Sequence, residues 1–450
     1  MLHEERAWQR NPERLISGMS PAPASFESRM DLNNESGAIP CPKSPRRVWG
    51  LSELYYPETT STGYFMTGTA EGLALSHNVS VICGQPSYHE RDTHAPAREL
   101  LNGVDVYRCW STTLDKDKLV YRVFNLLTIS GAMFVTALLH VRSGDIVIAV
   151  TNPPLLPYLA AVVCRMRGAR FILLVHDVYP EVLTRLNILK DKSFAVRMLD
   201  RASRWLYKEA ERIVVLGRDM RDLVQNKLDS KQARVVLIPN WGDTDSIRPM
   251  RFSENRLLKT MDLTGKFVVQ YCGNIGRTHG IEDILATAEI LSHDHSIHFL
   301  LIGWGAKKKW AIQRQAERDL RNLTIMDPLS PEDLCEGLNA CSVSIISLAA
   351  GMSGISVPSR MYNVLASGKP ILAVCDADTE LASVVREERI GWVIPPAQPG
   401  AIASCLLEAQ ANPGLLVEMG RRARHAAQSK YTMQKIVEQY MTFIEGLNSE

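Results

Sequence analysis

Residues 343–374 read VSIISLAAGMSGISVPSRMYNVLASGKPILAV and contain the pattern that decides the fold. The stretch opens on an apolar run, continues through a glycine-containing loop, and closes on a second apolar run. Between the loop and the second run, Pro358 is a residue that starts helices and Gly368 is one that ends them. The stretch therefore predicts a strand, a loop, a helix to about Ser367 and a second strand parallel to the first.

The same alternation of short β-branched runs with longer helical patterns extends in both directions from this unit. Such alternation is typical of βαβ units and of a parallel sheet. The strands are predicted in two groups, separated by a polar, irregular stretch at 240–265: first 47–55, 79–83, 105–109, 145–150, 170–175, 212–216 and 234–239, then 267–272, 298–303, 323–327, 343–348, 370–374 and 392–396. We therefore predict an α/β protein with two doubly wound parallel sheets, whose strand ends face a shared cleft.

Length and charge agree with this organisation. The chain has 450 residues, 51 basic and 49 acidic side chains and 46% hydrophobic residues, which is a globular composition at a length typical of two domains. A net charge of +2 gives no overall attraction for nucleic-acid phosphates, so no nucleic-acid partner is expected. The expected divisions are a mobile extension at 1–47, a first domain at 48–240, a linker at 241–265, a second domain at 266–415, and a helical tail at 416–450 that closes the second domain or crosses back onto the first.

Cysteine usage and the N-terminus indicate the compartment. The nine cysteines form no Cys-x-x-Cys pair and have no histidine ligands nearby, which is typical of ordinary thiols in a reducing compartment. The first residues, MLHEERAWQR, are charged and lead into no apolar signal segment. The expectation is a cytoplasmic protein without a structural metal.

Two loops in the second half have the composition of a phosphate-binding site. One contains Ser353 and Gly354 and leads into a helix at Ser359 and Arg360. Glycines allow close backbone approach, the first N–H groups of a helix point at an anion, and arginine adds a formal charge. The other, YCGNIGRTHGIEDIL (271–285), passes from a strand end into a helix in the same way. An ordinary strand-to-helix connection is the alternative for the first of these loops.

The first half contributes polar residues to the same predicted cleft. His176 and Asp177 directly follow the strand at 170–175, a position suited to polar chemistry. A loop at Thr60–Gly63 is expected before the next helix. An apolar stretch, 123–141, is long enough to be a transmembrane candidate, but its Asn, Thr, Ser and Gly residues favour a buried or membrane-dipping helix. With Arg122, Arg142, Arg165, Arg167 and Arg170 nearby in sequence, this stretch is a candidate for peripheral contact with an anionic membrane; a core helix is the alternative.

These motifs resemble those of the retaining glycosyltransferase family 4, which has the GT-B fold, and within it the bacterial branch that assembles cell-surface polysaccharides, such as the fucosamine and colanic-acid transferases. The matching segments are YYPETTSTG (55–63), HDVYP (176–180), IVVLG (213–217), VVLIPNWGDTDSIRP (235–249), YCGNIGRTHGIEDIL (271–285), LIGWG (301–305), SVPSRMYNVLASGKPILAV (356–374) and TELASVV (379–385). They occur in the expected order over about residues 48–400.

The resemblance implies sugar transfer from a nucleotide-diphosphate donor, expected to be a UDP-sugar, to a saccharide or polyprenyl-diphosphate-linked acceptor. His176 would contact the transferred sugar and Asp177 would face the acceptor. The donor would contact these residues: Gly63, Gly273, Asn274, Arg277, Gly303, Gly305, Ser353, Gly354, Ser359, Arg360, Asn363 and Glu380. No cofactor is implied.

The sequence departs from the family pattern at four positions. The family's usual Glu-x7-Glu pair falls at Ile355 and Asn363, and its usual Arg and Lys phosphate partners fall at Asn274 and His279. We interpret Asn363 as a neutral ribose partner, and Arg277 and Arg360 as the replacement cations.

Three other functions fit parts of the sequence. A metal-dependent GT-A transferase would use an Asp-x-Asp string, and three occur, at 115–117, 243–245 and 376–378. A sugar-nucleotide 2-epimerase could share the two-domain fold without needing an acceptor. A non-catalytic sugar-nucleotide-binding subunit of a polysaccharide assembly complex would explain the missing glutamates.

Overall fold

The computed structural model describes residues 46–58, 60–86, 95–114, 119–228 and 234–449. Contacts divide the chain into Met1–Pro42, which lies outside the described residues, and a unit from Lys43 to Glu450 that holds both sheets. The expected extension at 1–47 therefore falls outside the description except for its last two residues.

The first sheet has eight strands in the order β3-β4-β2-β1-β5-β6-β7-β8. All seven predicted strands form, and they pair in parallel. The order reverses direction at β1, which lies between β2 and β5, and in open α/β sheets ligands bind at the carboxyl ends of the strands beside such a point. The strands are β1 Arg47–Leu51, β2 Asn78–Gly84, β3 Arg98–Leu101, β4 Val104–Cys109, β5 Ile146–Val150, β6 Arg170–Val175, β7 Arg212–Val215 and β8 Val235–Leu237.

One edge strand, β3, was not predicted. It pairs antiparallel with β4 through a two-residue turn, Asn102-Gly103, in which both residues have positive φ (47° and 79°). Asn-Gly is the usual sequence of such a hairpin turn. The signal was therefore present, but the alternation of strands and helices obscured it.

The second sheet has six strands, all parallel, in the order β11-β10-β9-β12-β13-β14. All six were predicted, with ends that differ by at most two residues. The order reverses at β9, which lies between β10 and β12. The strands are β9 Phe267–Cys272, β10 Ile297–Ile302, β11 Leu323–Met326, β12 Val343–Ser347, β13 Ile371–Val374 and β14 Gly391–Ile394.

Helices connect the strands and cover both sheets. In the first half they are α1 Ser61–Ala74, α2 Leu119–His140, α3 Leu156–Arg167, α4 Glu181–Arg185, α5 Phe194–Glu209 and α6 Arg218–Lys227. In the second half they are α7 Arg256–Thr260, α8 Ile281–Ile290, α9 Lys308–Glu317, α10 Leu334–Leu338, α11 Arg360–Ala366, α12 Glu380–Glu388, α13 Pro399–Ala411, α14 Pro413–Lys430 and α15 Met433–Ser449.

Two predicted loops are partly helical. Thr60 caps α1 by accepting a hydrogen bond from Gly63 N, so Gly63 lies inside the first turn of the helix and not in a loop. In the predicted linker 241–265, α7 is capped by Asn255 and buries Leu258 against the second sheet, where Leu263, just after the helix, joins it. The polar composition of the linker hid this short capped helix, so the linker that remains irregular is shorter than predicted.

The C-terminal tail divides between the two domains. Helix α14 packs against α11 in the second domain, whereas α15 packs against α1 of the first. Ile436, Tyr440 and Ile444 of α15 are fully or nearly fully buried in the first domain's core. The backbone N–H of Gly242 also donates to the carbonyl of Tyr431, just before α15, so two chain segments cross between the domains side by side.

Close contact between α1 and α15 depends on glycine. A Cβ on Gly72 would lie 2.4 Å from Val437 Cγ1, inside van der Waals contact. We expect Gly72→Ala to lower the free energy of unfolding in urea by about 1–3 kcal/mol because α15 must shift. Gly446→Ala is the control, because nothing lies within 4 Å of its Cβ position, and it should be neutral or stabilise by up to about 1 kcal/mol. A stabilised Gly72→Ala protein would contradict this packing.

Candidate active site between the two domains

His176 and Asp177 lie at the carboxyl end of β6, as the sequence predicted. Thr151, just after β5, accepts hydrogen bonds from the backbone N–H groups of both residues, at 3.0 and 3.2 Å. Thr62 Oγ1 in the first turn of α1 lies 3.4 Å from His176 Nδ1. Among the described residues, neither His176 Nε2 nor the Asp177 carboxylate has a hydrogen-bond partner. The backbone of both residues is therefore held by Thr151 at the neighbouring strand end, and their contact with a substrate remains a prediction.

The same two residues meet the second domain directly. Asp177 and Ser356 form an isolated antiparallel β-bridge, and Val178 N donates to the carbonyl of Ile355 at 3.0 Å. Beside them, Ser359 Oγ donates to Ser61 Oγ at 3.4 Å. The loop before α11 therefore lies against His176 and Asp177.

Burial shifts both titrations in the direction of the neutral form. It raises the pKa of Asp177 to about 6 and lowers the pKa of His176 to about 4. Near neutral pH, Asp177 is then a carboxylate of raised basicity and His176 is an uncharged imidazole. An uncharged imidazole donates or accepts hydrogen bonds without adding charge.

Arg360, the first residue of α11, crosses to the loop that follows β9. Its Nη2 donates to the carbonyl of Asn274 at 3.2 Å and lies 3.0 Å from His279 Nε2. The guanidinium stacks over Tyr271, with 4.5 Å between Cζ and the ring centroid, and a Cβ on Gly273 would lie 2.9 Å from Cζ. Nη1 is buried and has no hydrogen-bond partner among the described residues.

His279 contacts Arg360 as a neutral acceptor. Burial, together with the charges of Arg360 and Lys307, lowers the pKa of His279 well below its usual value. An uncharged Nε2 can accept the N–H of Arg360, whereas a protonated imidazole would repel it. His279 therefore positions the guanidinium that covers Gly273.

Gly303 and Gly305 follow β10 and touch the neighbouring loop through backbone. Their φ values are 152° and 148°, and a Cβ would lie 1.9 Å from the carbonyl oxygen of Gly273 or 2.4 Å from that of Ile275. Ile275 N donates to the carbonyl of Trp304 at 2.7 Å. Glycine at 303 and 305 thus fixes the shape of the Gly273–Asn274 loop, and any contact with a donor remains a prediction.

The glycine loop before α11 is less open to an anion than the sequence suggested. The N–H of Gly354 donates to Asp219 Oδ2 of the first domain at 2.9 Å, so it is already bonded. Gly354 has a φ of 72°, and a Cβ would lie 2.9 Å from the carbonyl of Asp219. Gly354 therefore allows the two domains to approach. Ser353, beside it, is half-buried.

Glu380 and Asn363 have protein partners that the sequence did not indicate. Glu380 is buried and receives three hydrogen bonds from Arg218: from the backbone N at 2.8 Å, from Nε at 2.9 Å and from Nη2 at 3.1 Å. Asn363 Oδ1 accepts from the backbone N–H of Asp243 at 3.1 Å. The predicted contacts of Glu380 with the donor sugar and of Asn363 with the ribose would have to use atoms or lone pairs that are not engaged in these hydrogen bonds.

Arg218 and Asp219 are the site residues that sequence reasoning missed. Both begin α6 directly after β7 and reach the second domain, where hydrogen bonds from Arg218 to Glu380 and Glu387 raise the pKa of the guanidinium. The signal was their place after the strand at 212–216, at the same sheet edge as His176. Arg277, in contrast, is exposed and forms no hydrogen bond or ion pair with the residues that the structure describes.

Comparison with known proteins agrees with this geometry. Residues 62–241 match the model of a glycosyl transferase 4-like domain, and residues 266–412 match that of the glycosyl transferases group 1. A protein of Pseudomonas aeruginosa named as the glycosyltransferase WbjE is 35% identical over 318 residues, which cover 69% of this chain and 76% of that protein. This chain belongs to glycosyltransferase family 4.

Other similarities of this glycosyltransferase extend over nearly the whole chain. The Escherichia coli K12 protein WcaI, named for a role in colanic acid biosynthesis, is 23% identical over 89% of this chain and 99% of its own. Among solved structures, sucrose-phosphate synthase of Thermosynechococcus elongatus has a TM-score of 0.70 at 16% identity, covering 90% of this chain and 99% of that one. Anabaena HepE, solved with UDP-glucose, has a TM-score of 0.68 at 13% identity, covering 90% and 100%. These structures show the GT-B fold that the sequence predicted.

The Arg218–Glu380 pair of this glycosyltransferase should contribute to stability across the domain boundary. Glu380→Gln should lower the free energy of unfolding in urea by about 1–3 kcal/mol, because the mostly buried carboxylate that accepts from Arg218 loses its charge. Glu387→Gln is the matched control, since Glu387 is half-exposed and bonds the same Arg218; it should cost less than about 1 kcal/mol. Equal costs for the two variants would contradict a special role for Glu380.

Proposed function

We propose that this glycosyltransferase moves a hexosyl or N-acetylhexosaminyl group, with retention of configuration and without a metal ion, from a UDP-sugar to a saccharide or polyprenyl-diphosphate-linked acceptor. Arg360 carries the proposal, because its Nη1 is buried and unpartnered among the described residues. A buried donor without an acceptor costs about 1–3 kcal/mol. A phosphate oxygen of the donor would remove that cost.

The proposed donor position follows from the groups around Arg360. The diphosphate would lie between the start of α11 and the Gly273–Asn274 loop, within reach of the guanidinium. Arg277 on the same loop is exposed and would supply a second cation. Because the usual family cations are replaced by Asn274 and His279, Arg360 supplies its charge from a neighbouring helix while His279 orients it.

The proposed reaction breaks the bond between the anomeric carbon and the diphosphate oxygen, and forms a new bond to an acceptor oxygen on the same face of the sugar. Negative charge develops on the departing diphosphate, where Arg360 and backbone N–H groups would stabilise it. The acceptor proton would pass to the departing diphosphate oxygen. His176 would hold the sugar through its free Nε2, and the Asp177 carboxylate would orient the acceptor hydroxyl.

Metal independence is supported by what the Asp-x-Asp strings do. Asp243 Oδ1 accepts from the N–H groups of Asp245 and Ser246, which is a local turn. Asp376 Oδ2 accepts from Gly351 N at 2.7 Å. The third string, 115–117, lies outside the described residues. One aspartate of each described string therefore holds a backbone N–H, and arginine would supply the positive charge that a metal provides elsewhere.

The nature of the donor and the location are supported by relatives. Solved structures of the same fold contain UDP or UDP-glucose, and the named relative WcaI is assigned to colanic acid, a polysaccharide. All eight cysteines that the structure describes are free thiols, which persist in reducing compartments. We place the reaction in the cytoplasm, in cell-surface polysaccharide synthesis.

A thermal-shift panel of nucleotide sugars tests the donor assignment, because a ligand that binds only the folded protein raises its melting temperature. With the sugar nucleotide that raises it most, Arg360→Ala and Arg277→Ala should each weaken binding, measured by calorimetry, by about 1.5–3 kcal/mol. Arg321→Ala is the control: Arg321 is exposed, and its guanidinium bonds Asp319, two residues earlier, so the affinity of this variant should be unchanged. Unaltered affinity in both site variants would contradict the diphosphate position.

The pH profile tests Asp177. Since its pKa is raised to about 6, the carboxylate is lost as pH falls through that value. We expect kcat/KM to fall about tenfold per pH unit below roughly pH 6. Asp177→Asn should have low activity that does not fall further below pH 6. His176→Asn should lower kcat but retain the fall of kcat/KM below pH 6, because the pKa of His176 is only about 4. A limb near pH 6 that survives in Asp177→Asn would exclude this assignment.

A further inference from the structure

Helix α2 has an unusual solvent side. The described residues contain one helix, Val120–His140, that is long and apolar enough to cross a membrane. In this fold one side of it packs into the first domain's core through Ile129, Met133 and Ala137. A surface helix normally presents polar residues on its opposite side. Here the opposite side is apolar.

The exposed stripe of α2 repeats at helical spacing. It consists of Val120, Val123, Phe124, Leu127, Gly131, Val135 and Leu139. Val135 is 53% exposed and Leu139 is 69% exposed. The stripe is roughly 28 Å long at 1.5 Å per residue. No acidic residue occurs in α2 or in α3, which packs beside it.

Two polar residues of α2, Asn125 and Thr128, bond to the segment that follows β4. Asn125 Oδ1 accepts from Thr112 Oγ1 and from Leu114 N, and its Nδ2 donates to the Leu114 carbonyl. Thr128 Oγ1 accepts from Thr112 N at 3.2 Å. These bonds fix the segment after β4 along the helix, and Trp110 of that segment is 70% exposed. Asn125 and Thr128, two of the polar residues that argued for a buried helix, thus bond a neighbouring segment instead of facing water.

Helices α3 and α5 extend the surface with apolar and cationic side chains. The exposed residues there are Val162, Arg165, Met166 and Arg167 on α3, and Phe194, Arg197, Met198, Arg201, Trp205 and Lys208 on α5. Tyr158 of α3 stacks on Trp205 of α5, which joins the two helices. The two acidic residues of α5 bond to cations: Asp200 to Lys227 and Arg204, and Glu209 to Arg165. Of the arginines singled out in the sequence, Arg170 is held by Glu211 and does not belong to this surface.

We infer that the outer surface of α2, α3 and α5 docks on an anionic lipid bilayer. Apolar side chains at helical spacing would enter the boundary between headgroups and acyl chains, and the surrounding arginines and lysine would pair with lipid phosphates. Tryptophan is favoured at that boundary. The charge of this surface indicates an anionic partner. Cations surround the apolar stripe, and among the described side chains of the three helices every acidic residue is paired with a cation. The inference does not depend on the proposed reaction, since lipid binding is measured without substrate.

Docking on this surface has a consequence for the acceptor. Ser203 on the inner side of α5 donates to the carbonyl of Tyr179 at 2.8 Å, two residues after Asp177. Lys227 Nζ donates to the same carbonyl at 3.3 Å. The helix that would lie on the lipid therefore supports the loop that faces the acceptor. A lipid-linked acceptor would approach the cleft from the membrane.

Flotation of the full chain with vesicles tests the inference. Vesicles of phosphatidylglycerol and phosphatidylethanolamine should bind the protein at low ionic strength, and vesicles of phosphatidylcholine should bind it much less. Val135→Glu should lower the vesicle-bound fraction roughly tenfold or more, because a charge enters the lipid contact. Val417→Glu is the matched control: Val417 is 73% exposed on α14 of the second domain, and binding should not change.

Further measurements distinguish docking from misfolding and from self-association. Thermal melting checks each variant, and the milder Leu127→Ser should also weaken flotation if Val135→Glu fails to fold. Full-length protein that does not float with anionic vesicles at low salt overturns the inference, as does an equal loss in Val135→Glu and Val417→Glu. A dimer in sedimentation equilibrium that Val135→Glu dissociates, without vesicle binding by the parent protein, would identify a second copy as the occupant and overturn the lipid assignment.

Discussion

The site depends on one contact between backbones, the pairing of residues 177–178 with residues 355–356. Each segment follows a strand of a parallel sheet, β6 in the first domain and β12 in the second. The carboxyl ends of the strands of a parallel sheet all lie on one side of the sheet. Two such sheets that face each other with these ends bring the loops that follow the strands together. His176, Asp177, the loop before α11 and the Gly273 loop are neighbours for this reason.

The contact also explains the glycines and charges around it. Gly354 must lack a Cβ for Asp219 to reach its N–H, and Gly303 must lack one for the Gly273 loop to lie beside β10. Arg218 and Glu380 add an ion pair across the same boundary. Of the residues that looked like phosphate ligands in the sequence, some therefore hold the protein together and others, such as Arg360 Nη1, still lack a partner among the described residues. A spacing pattern cannot separate these two uses, since both need small residues and N–H groups at strand ends.

Hydrophobic periodicity was sufficient for the sheets but not for pairwise contacts. All thirteen predicted strands form, because buried parallel strands are continuous apolar runs that alternate with helices. Sequence reasoning placed His176 and Asp177 correctly at a strand end for the same reason. It missed the Arg218–Glu380 pair and the bond from Asp243 to Asn363, because residues 120 or more positions apart meet only in the folded chain. It also missed α7, because a five-residue helix capped by Asn255 has too few turns to show a period.

Helix α2 illustrates why burial cannot be inferred from composition alone. Its Asn and Thr residues weakened the signal of a membrane-spanning helix, and this led to the choice between a buried helix and one that dips into a membrane. The structure shows that those residues bond to the segment after β4 while the apolar stripe lies in solvent. Exposing seven apolar or small residues on one stripe has no benefit for folding, because burying them would be favourable by about 25 cal/mol per Å². An exposed apolar surface of this kind is expected where a binding partner shields it from water. The cations beside it indicate that this partner is negatively charged.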